Sequence, residues 1–139
     1  MKPEELIRQN LLFKMCSEYG FRREFIGVEK EISTLPHLKG MKIPKRRIDL
    51  VCFSGKIHKQ FPLYPLLLVE CKAITLSSNA LEQVLGYNYY VGAYFVGIAN
   101  GDGLLIWDKN GEMIRHGLVQ YQELEQYALD RREKSLSCI

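Results

Sequence analysis

The spacing of apolar residues along the chain predicts three helices. The first is expected over residues 3–19 and ends at Gly20, a residue suited to a helix C-terminus. Its apolar positions recur at helical spacing: Ile7, Leu11, Leu12, Met15 and Tyr19. A second helix is predicted over about residues 79–91, and a third, on the surface, over about residues 122–134.

Shorter apolar runs between turn residues predict the strands of a sheet. These runs are FIGVEKEIS, RIDLVCF, PLLLVECKA, YFVGIAN, and the pair LLIWD and MIRH around a Lys109-Asn110-Gly111 turn. Because strands stand before and after a crossover helix, we expect an α/β fold whose mixed central sheet carries helices on both faces. The length suits a single domain over residues 1–139, with a frayed tail at about 135–139.

Composition and charge exclude some classes of protein without selecting a function. Apolar residues make up 47% of the chain and charged residues 25%, and the net charge of +3 permits an anionic partner. No apolar run approaches the roughly 20 residues that cross a membrane, and MKPEELIRQN lacks the apolar centre of a signal peptide, so we expect a cytoplasmic protein. The cysteines lack zinc-site spacing, and no GxxxxGK[ST] loop supports a nucleotide-driven motor.

Three charged residues interrupt strands that are otherwise apolar. Glu70 and Lys72 share one face of a predicted strand, about 7 Å apart, while Cys71 between them faces the packed side. Asp49 interrupts the preceding strand, and if the two strands pair as a hairpin, Asp49 can lie beside Glu70. Because neighbouring carboxylates repel each other, one must be protonated or a cation must lie between them. Mg²⁺ is a suitable cation, since it often takes one or two carboxylates plus water and phosphate.

A magnesium site would give these residues a shared chemistry. Asp49, Glu70 and the backbone carbonyl of Cys71 would supply half of the ligand shell, and Lys72 would stand near the attacking water and the phosphate. This is the outline of a phosphodiester hydrolysis site. The alternative is that Glu70 and Lys72 form a structural ion pair at the end of a strand.

Two further groups of residues are candidates for contact with nucleic acid. In the second helix Gln83 and Tyr87 lie on one face, and Tyr90 continues this row opposite the apolar stripe of the helix. The connector before the RIDLVCF strand is basic, and its side chains are candidates for phosphate contacts: Lys39, Lys42, Lys45, Arg46 and Arg47. The alternatives are a solvated helix face and a solvated loop.

Asp49, then Glu70-Cys71-Lys72, then Gln83-Val-Leu-Gly-Tyr87 resemble the PD-(D/E)XK nuclease superfamily. More narrowly, PEELIRQ, RRIDLV, LLLVECKA, LEQVLGYN and ANG at 99–101 resemble the N-terminal nuclease domain of type I restriction enzyme R subunits. The resemblance covers about residues 2–108. It implies a restriction-endonuclease-like core of helix, three strands, helix and strand, and an endonuclease that cuts DNA with Mg²⁺, for which Mn²⁺ can substitute.

The resemblance also implies a role for each matching residue. Asp49 and Glu70 match the metal ligands, and Lys72 matches the catalytic lysine. Gln83 and Tyr87 match the QxxxY motif, which belongs to the catalytic set and helps to engage DNA. The partners implied are DNA and either a second copy of the chain or other restriction-modification subunits.

The remaining positions match the family less completely. Glu4 matches the first-helix acid that assists the metal, with Glu5 as a rival, and Glu4 is also spaced to pair with Arg8. Ile48 stands where the superfamily often has proline. The helicase motor that accompanies this domain has no counterpart in these residues, which puts DNA translocation in doubt. The alternative function is a module that keeps the nuclease fold and binds DNA or protein without cutting.

Overall fold

The computed structural model describes residues 2–73 and 78–137, and within them the chain forms three α-helices and six strands. In chain order these are α1 (Pro3–Glu18), β1 (Ile26–Glu31), β2 (Arg47–Ser54), β3 (Tyr64–Cys71), α2 (Ser78–Val91), β4 (Phe95–Asn100), β5 (Gly103–Asp108), β6 (Met113–His116) and α3 (Tyr121–Ser137). The last two residues of the predicted tail, 138 and 139, lie outside the described residues. No helix in the described part of the chain is long and apolar enough to span a membrane.

The six strands form one sheet in the order of the sequence, from β1 to β6. Neighbouring strands are antiparallel except for β3 and β4, which run parallel. Parallel neighbours need a crossover connection, and α2 supplies it. The mixed sheet predicted from the order of the elements is therefore confirmed, and its topology is compatible with a restriction-endonuclease-like fold.

The sheet carries a hydrophobic core on each face, because consecutive strand residues point to opposite sides. The core under α1 and α3 includes Met15, Leu67, Val69, Cys71 and Leu124. The core under α2 includes Ile32, Leu38, Leu68, Val84 and Val96. The prediction of helices on both faces is confirmed.

Two segments depart from the predicted elements. The predicted FIGVEKEIS strand is shorter, because Arg23–Phe25 and Ile32–Thr34 form 3-10 turns on either side of β1. The connector before β2 opens with another 3-10 turn, Pro36–Leu38, which buries Leu38 in the core under α2. This turn anchors the start of the basic connector, and Lys42, Lys45, Arg46 and Arg47 beyond it are exposed.

Candidate active site

Asp49 and Glu70 lie beside each other at the end of the β2–β3 hairpin. Leu50 pairs with Val69 in this antiparallel ladder, so the same register continued by one residue sets Asp49 opposite Glu70. Asp49 Oδ2 accepts a hydrogen bond of 2.8 Å from the backbone N–H of Cys71. The Cys71 N–H therefore bonds to the side chain of Asp49 and not to a backbone carbonyl of β2. The two carboxylates lie next to each other where the regular β2–β3 pairing ends.

Glu70 carries the strongest electrostatic signal of the site. Its Oε1 atom is buried and has no hydrogen-bond partner among the described residues. Burial, followed by the charge of Asp49, raises the pKa of Glu70 to about 8, while the charge of Lys72 acts in the opposite direction. At neutral pH the carboxyl group is therefore mostly protonated, unless a cation neutralises the pair.

The donor set at this point suits a hydrated divalent cation. The N–H and C=O groups of one strand residue point toward the same neighbouring strand, so the Cys71 carbonyl, like its N–H, faces the Asp49 side. One free carboxylate oxygen of Glu70, the Asp49 carboxylate and this carbonyl are hard oxygen ligands of the kind Mg²⁺ prefers. No group of three or more His, Cys, Asp and Glu side chains within residues 2–73 and 78–137 is arranged to hold a metal. Any cation here would therefore keep several water ligands.

Glu4 faces this end of the sheet without joining the two carboxylates. The pKa of the Cys71 thiol is raised to about 12, first by burial and then by Asp49 and Glu70. Glu4 adds to this shift and Arg8 opposes it, so both side chains of α1 lie within electrostatic range of Cys71. The predicted role of Glu4 as an accessory ligand stays a prediction.

The expected pair between Glu4 and Arg8 is wrong. Arg8 instead contacts Glu5 at 2.6 Å, one turn away, and Glu29 of β1 at 2.8 Å. Glu29 lies opposite Asp49 in the β1–β2 register and has a left-handed backbone, with φ of 50°. Sequence reasoning missed this link, because helical spacing alone does not choose between partners three and four residues away. Glu5 pairs with Arg8, and the choice between Glu4 and Glu5 as the first-helix acid stays a prediction.

Lys72 follows β3 directly and is half-buried. Its backbone N–H donates to the Ala99 carbonyl at 2.8 Å, which extends the ladder with β4 by one residue. Within the described part of the chain the Lys72 ammonium makes no salt bridge. The alternative of a direct Glu70–Lys72 ion pair is therefore not observed, and Cys71 between them is buried in the core on the other face, as expected.

The two groups of residues predicted to meet nucleic acid are in contact with each other. The Arg46 guanidinium lies 5.1 Å from the centre of the Tyr87 ring, and Arg46 Nη1 donates to the Tyr87 hydroxyl at 3.4 Å. Gln83, one turn earlier on α2, is exposed. The basic connector and the QxxxY face of α2 thus form one surface.

The orientation predicted for Tyr87 is wrong in part. Tyr87 packs against the core under α2 and is only half-exposed, whereas Tyr90 remains exposed.

The buried stripe of α2 contains Val84, Asn88 and Val91, and Asn88 was missed because a polar residue gives no hydrophobic signal. Its side chain exchanges two hydrogen bonds with the backbone of Ala93, at 2.8 and 2.9 Å, and these bonds fix the turn that leads into β4.

The structure is a mixed α/β domain whose six-stranded sheet carries helices on both faces, an architecture compatible with a restriction-endonuclease-like fold. Residues 3–125 match the family described as Type I restriction enzyme R protein N terminus (HSDR_N), and the chain belongs to that family. A comparison with curated proteins finds no match.

Proposed function

We propose that this chain is a Mg²⁺-dependent endonuclease domain of the PD-(D/E)XK kind, which hydrolyses phosphodiester bonds of DNA as part of a restriction system. The observation that carries the proposal is the buried Oε1 atom of Glu70, which has no partner among the described residues and lies beside a second carboxylate. An unsatisfied buried oxygen costs about 1–3 kcal/mol, and a cation bound between the two carboxylates would offset that cost. The membership of the chain in the R-protein family supports the same reading.

Asp49, Glu70 and the Cys71 carbonyl would hold the cation. Asp49 is already oriented by its bond to the Cys71 N–H, which leaves its second oxygen for a ligand. Glu4 of α1, whose charge acts on the Cys71 thiol, would contact the cation through water. When bound, Mg²⁺ supplies positive charge that stabilises the phosphate and favours ionisation of the attacking water.

Lys72 would act directly on the reacting groups. Its ammonium lies in the field of Glu70 and makes no salt bridge in the described part of the chain, so its charge is available for the substrate. There it would hold the attacking water and stabilise negative charge that develops on the phosphate oxygens. Its backbone bond to Ala99 fixes the base of the side chain, which limits the positions the ammonium can take.

The surface formed by Arg46, Tyr87 and Gln83 would hold the DNA. Arg46 already contacts Tyr87, so the pair presents a guanidinium and a phenol together to one phosphate. Three further exposed basic side chains of the connector would add sequence-independent phosphate contacts: Lys42, Lys45 and Arg47. A second copy of the chain or other restriction-modification subunits would complete the assembly.

A second candidate function is a module that binds DNA or protein without cutting it. It is favoured by the finding that the carboxylates of the described residues include no group of three placed for a metal. Titration calorimetry with Mn²⁺ separates the two candidates. Heat of binding that disappears in Asp49→Ala supports the nuclease, and the absence of any binding, with or without DNA, supports the module.

The direct test is cleavage of supercoiled plasmid and of branched DNA. The wild-type protein should nick these substrates with Mg²⁺ or Mn²⁺ and lose activity in EDTA. Asp49→Ala and Lys72→Ala, purified in parallel, should reduce the rate by at least about 100-fold, as expected when a group acting on the reacting atoms is removed. Cleavage that survives both substitutions would contradict these roles.

A further inference from the structure

A second feature of the site end of the sheet is a cavity of about 520 Å³ between α1 and the turn that joins β4 to β5. Its volume is within the roughly 300–1,000 Å³ of small-molecule sites. The cavity begins at Ala99, which pairs with Cys71 and accepts the N–H of Lys72. It therefore opens one strand away from the end of β3, on the face that carries α1 and Cys71 and opposite the face of Glu70 and Lys72.

Two neutral amides line the cavity beside three charged side chains, and both amides have unused hydrogen-bonding capacity. Asn100 Oδ1 accepts the N–H groups of Asp102 and Gly103, at 2.9 and 3.1 Å. This turn fixes the Asn100 amide and leaves its nitrogen as the atom that can donate to a ligand. Asn10 of α1 lines the same cavity, and its side chain makes no hydrogen bond within the described residues.

Apolar side chains line another part of the cavity. Phe13 stands at the rim with 71% of its surface exposed, and Leu11 and Leu118 line the interior. The charged lining residues are one lysine and two acids, Lys14, Glu18 and Asp102, so the cavity has no excess of positive charge. It is unsuited to a phosphate group, and it is suited to an uncharged planar ligand that stacks on an aromatic ring and bonds to amides.

We propose that this cavity binds a nucleobase, with Phe13 as the stacking surface and Asn100 and Asn10 as the groups that bond the base edge. The base could come from an unpaired or strand-terminal nucleotide of DNA or from a free nucleoside, which share this chemistry. The inference rests on the proposed function for the DNA source alone, because the base would be held on the α1 face of the sheet, opposite the face that carries Glu70 and Lys72.

The test measures binding in EDTA, so that metal-dependent chemistry does not contribute. The probes are a single-stranded decanucleotide carrying one 2-aminopurine, whose fluorescence is quenched on stacking, and the four deoxynucleosides as competitors. Wild-type protein should quench the probe, and Phe13→Ala and Asn100→Asp should each weaken binding about tenfold. Asn100→Asp keeps the oxygen that accepts the two backbone bonds, removes the donor and adds a negative charge, so the uncharged deoxynucleosides report the loss of the donor free of repulsion from phosphates.

A cavity-filling variant gives a sharper control. A Cβ atom at Gly101 meets no heavy atom within 4 Å, so Gly101→Leu should enter the cavity without disturbing the fold and should abolish quenching. Gln60→Leu adds the same side chain at an exposed, uncharged position in the loop between β2 and β3, and should bind as wild type. Equal binding by wild type, Gly101→Leu and Gln60→Leu would overturn the proposal, as would failure of the wild type to bind either probe.

The remaining outcomes separate this site from the catalytic one. Quenching of the oligonucleotide assigns the base to a DNA strand, and binding of deoxynucleosides alone supports the site with a free nucleoside as its ligand. Probe binding in a protein that never cleaves DNA supports the nucleobase site and removes the nuclease proposal. Metal-dependent cleavage that is lost in Asp49→Ala but unchanged in Gly101→Leu, with no probe binding, overturns the nucleobase site alone.

Discussion

The Asp49 carboxylate reaches from β2 to the backbone N–H of Cys71 on β3, over 2.8 Å. This bond ties the acid of one strand to the backbone between Glu70 and Lys72. Burial raises the pKa of Glu70, and the repulsion between the two adjacent carboxylates raises it further. The consequences of this forced proximity can be measured in the absence of any substrate.

The stability of the metal-free protein should fall as pH rises through the neutral range. Glu70 has a folded pKa of about 8, against an ordinary value of 4.5, so the folded state holds a proton that the unfolded state has released. The stabilisation is complete below about pH 4.5 and is lost by about pH 8, with a total on the order of 5 kcal/mol. Chemical denaturation in EDTA from pH 5 to 9 measures this slope.

The control for this slope is Glu70→Gln, which fills nearly the same volume and cannot ionise. The variant should be more stable than wild type at pH 8, and its stability should depend less on pH between 5 and 8. Parallel curves for the two proteins would show that Glu70 is not the titrating group.

Divalent cations should reverse the loss of stability at pH 8. A cation that binds the folded state alone stabilises it by mass action, about 2.7 kcal/mol at 100 times its dissociation constant. Mn²⁺ or Mg²⁺ should therefore raise the Tm of the wild-type protein, and much less at pH 5, where Glu70 is protonated. Asp49→Asn should abolish the increase. A Tm increase of equal size in wild type and Asp49→Asn would place the cation elsewhere.

The fold could be predicted from the sequence to a large extent, because its signals are local. Helical spacing in α1 and short apolar runs in the strands each reflect the burial of one face, and the crossover position of α2 forces β3 and β4 to be parallel. The register of the strands depends on contacts that are distant in sequence. The sequence alone therefore does not establish that β2 pairs with β3. The structure shows this pairing, and its register sets Asp49 beside Glu70.

The surroundings of the site could be predicted only in part, since polar contacts carry little periodic signal. Arg8 forms ion pairs with Glu5 and Glu29. Glu29 lies on β1, and residue spacing along the sequence does not predict that β1 contacts α1. Arg46 and Tyr87 were both predicted as nucleic-acid contacts, but their contact with each other spans 41 positions in the chain. Such links depend on the three-dimensional arrangement of elements, whereas the identities of Asp49, Glu70 and Lys72 came from charges placed in apolar strands.

Arg46 should contribute to the affinity for duplex DNA, and its contribution should be larger at low salt concentration. Arg46→Ala should weaken binding at low salt and reduce the slope of log K against log salt by about 1, since one phosphate contact is removed. Tyr87→Phe keeps the ring beneath the guanidinium and removes the hydroxyl that accepts its N–H, so a smaller loss is expected. Fluorescence anisotropy with Ca²⁺ in place of Mg²⁺ measures both variants.

The matched control for this measurement is Lys59→Ala. Lys59 is an exposed cation in the loop between β2 and β3, at the end of the hairpin away from Asp49. It removes the same charge from the protein without touching the surface formed by Arg46, Tyr87 and Gln83. If Lys59→Ala lowered the affinity and the slope as much as Arg46→Ala, binding would reflect net charge and not this surface.

Lys72→Ala should separate a catalytic lysine from a structural one. The Lys72 ammonium makes no salt bridge in the described part of the chain, so its removal should change the free energy of unfolding at pH 7 by less than about 1 kcal/mol. Its charge opposes the rise in the pKa of Glu70, so the variant should shift the pH-dependent loss of stability to higher pH. Denaturation across pH, with cleavage assayed on the same preparations, provides both readouts. A large loss of stability together with unchanged cleavage would identify Lys72 as a structural residue, and a stable, inactive protein would identify it as the group that acts on the phosphate.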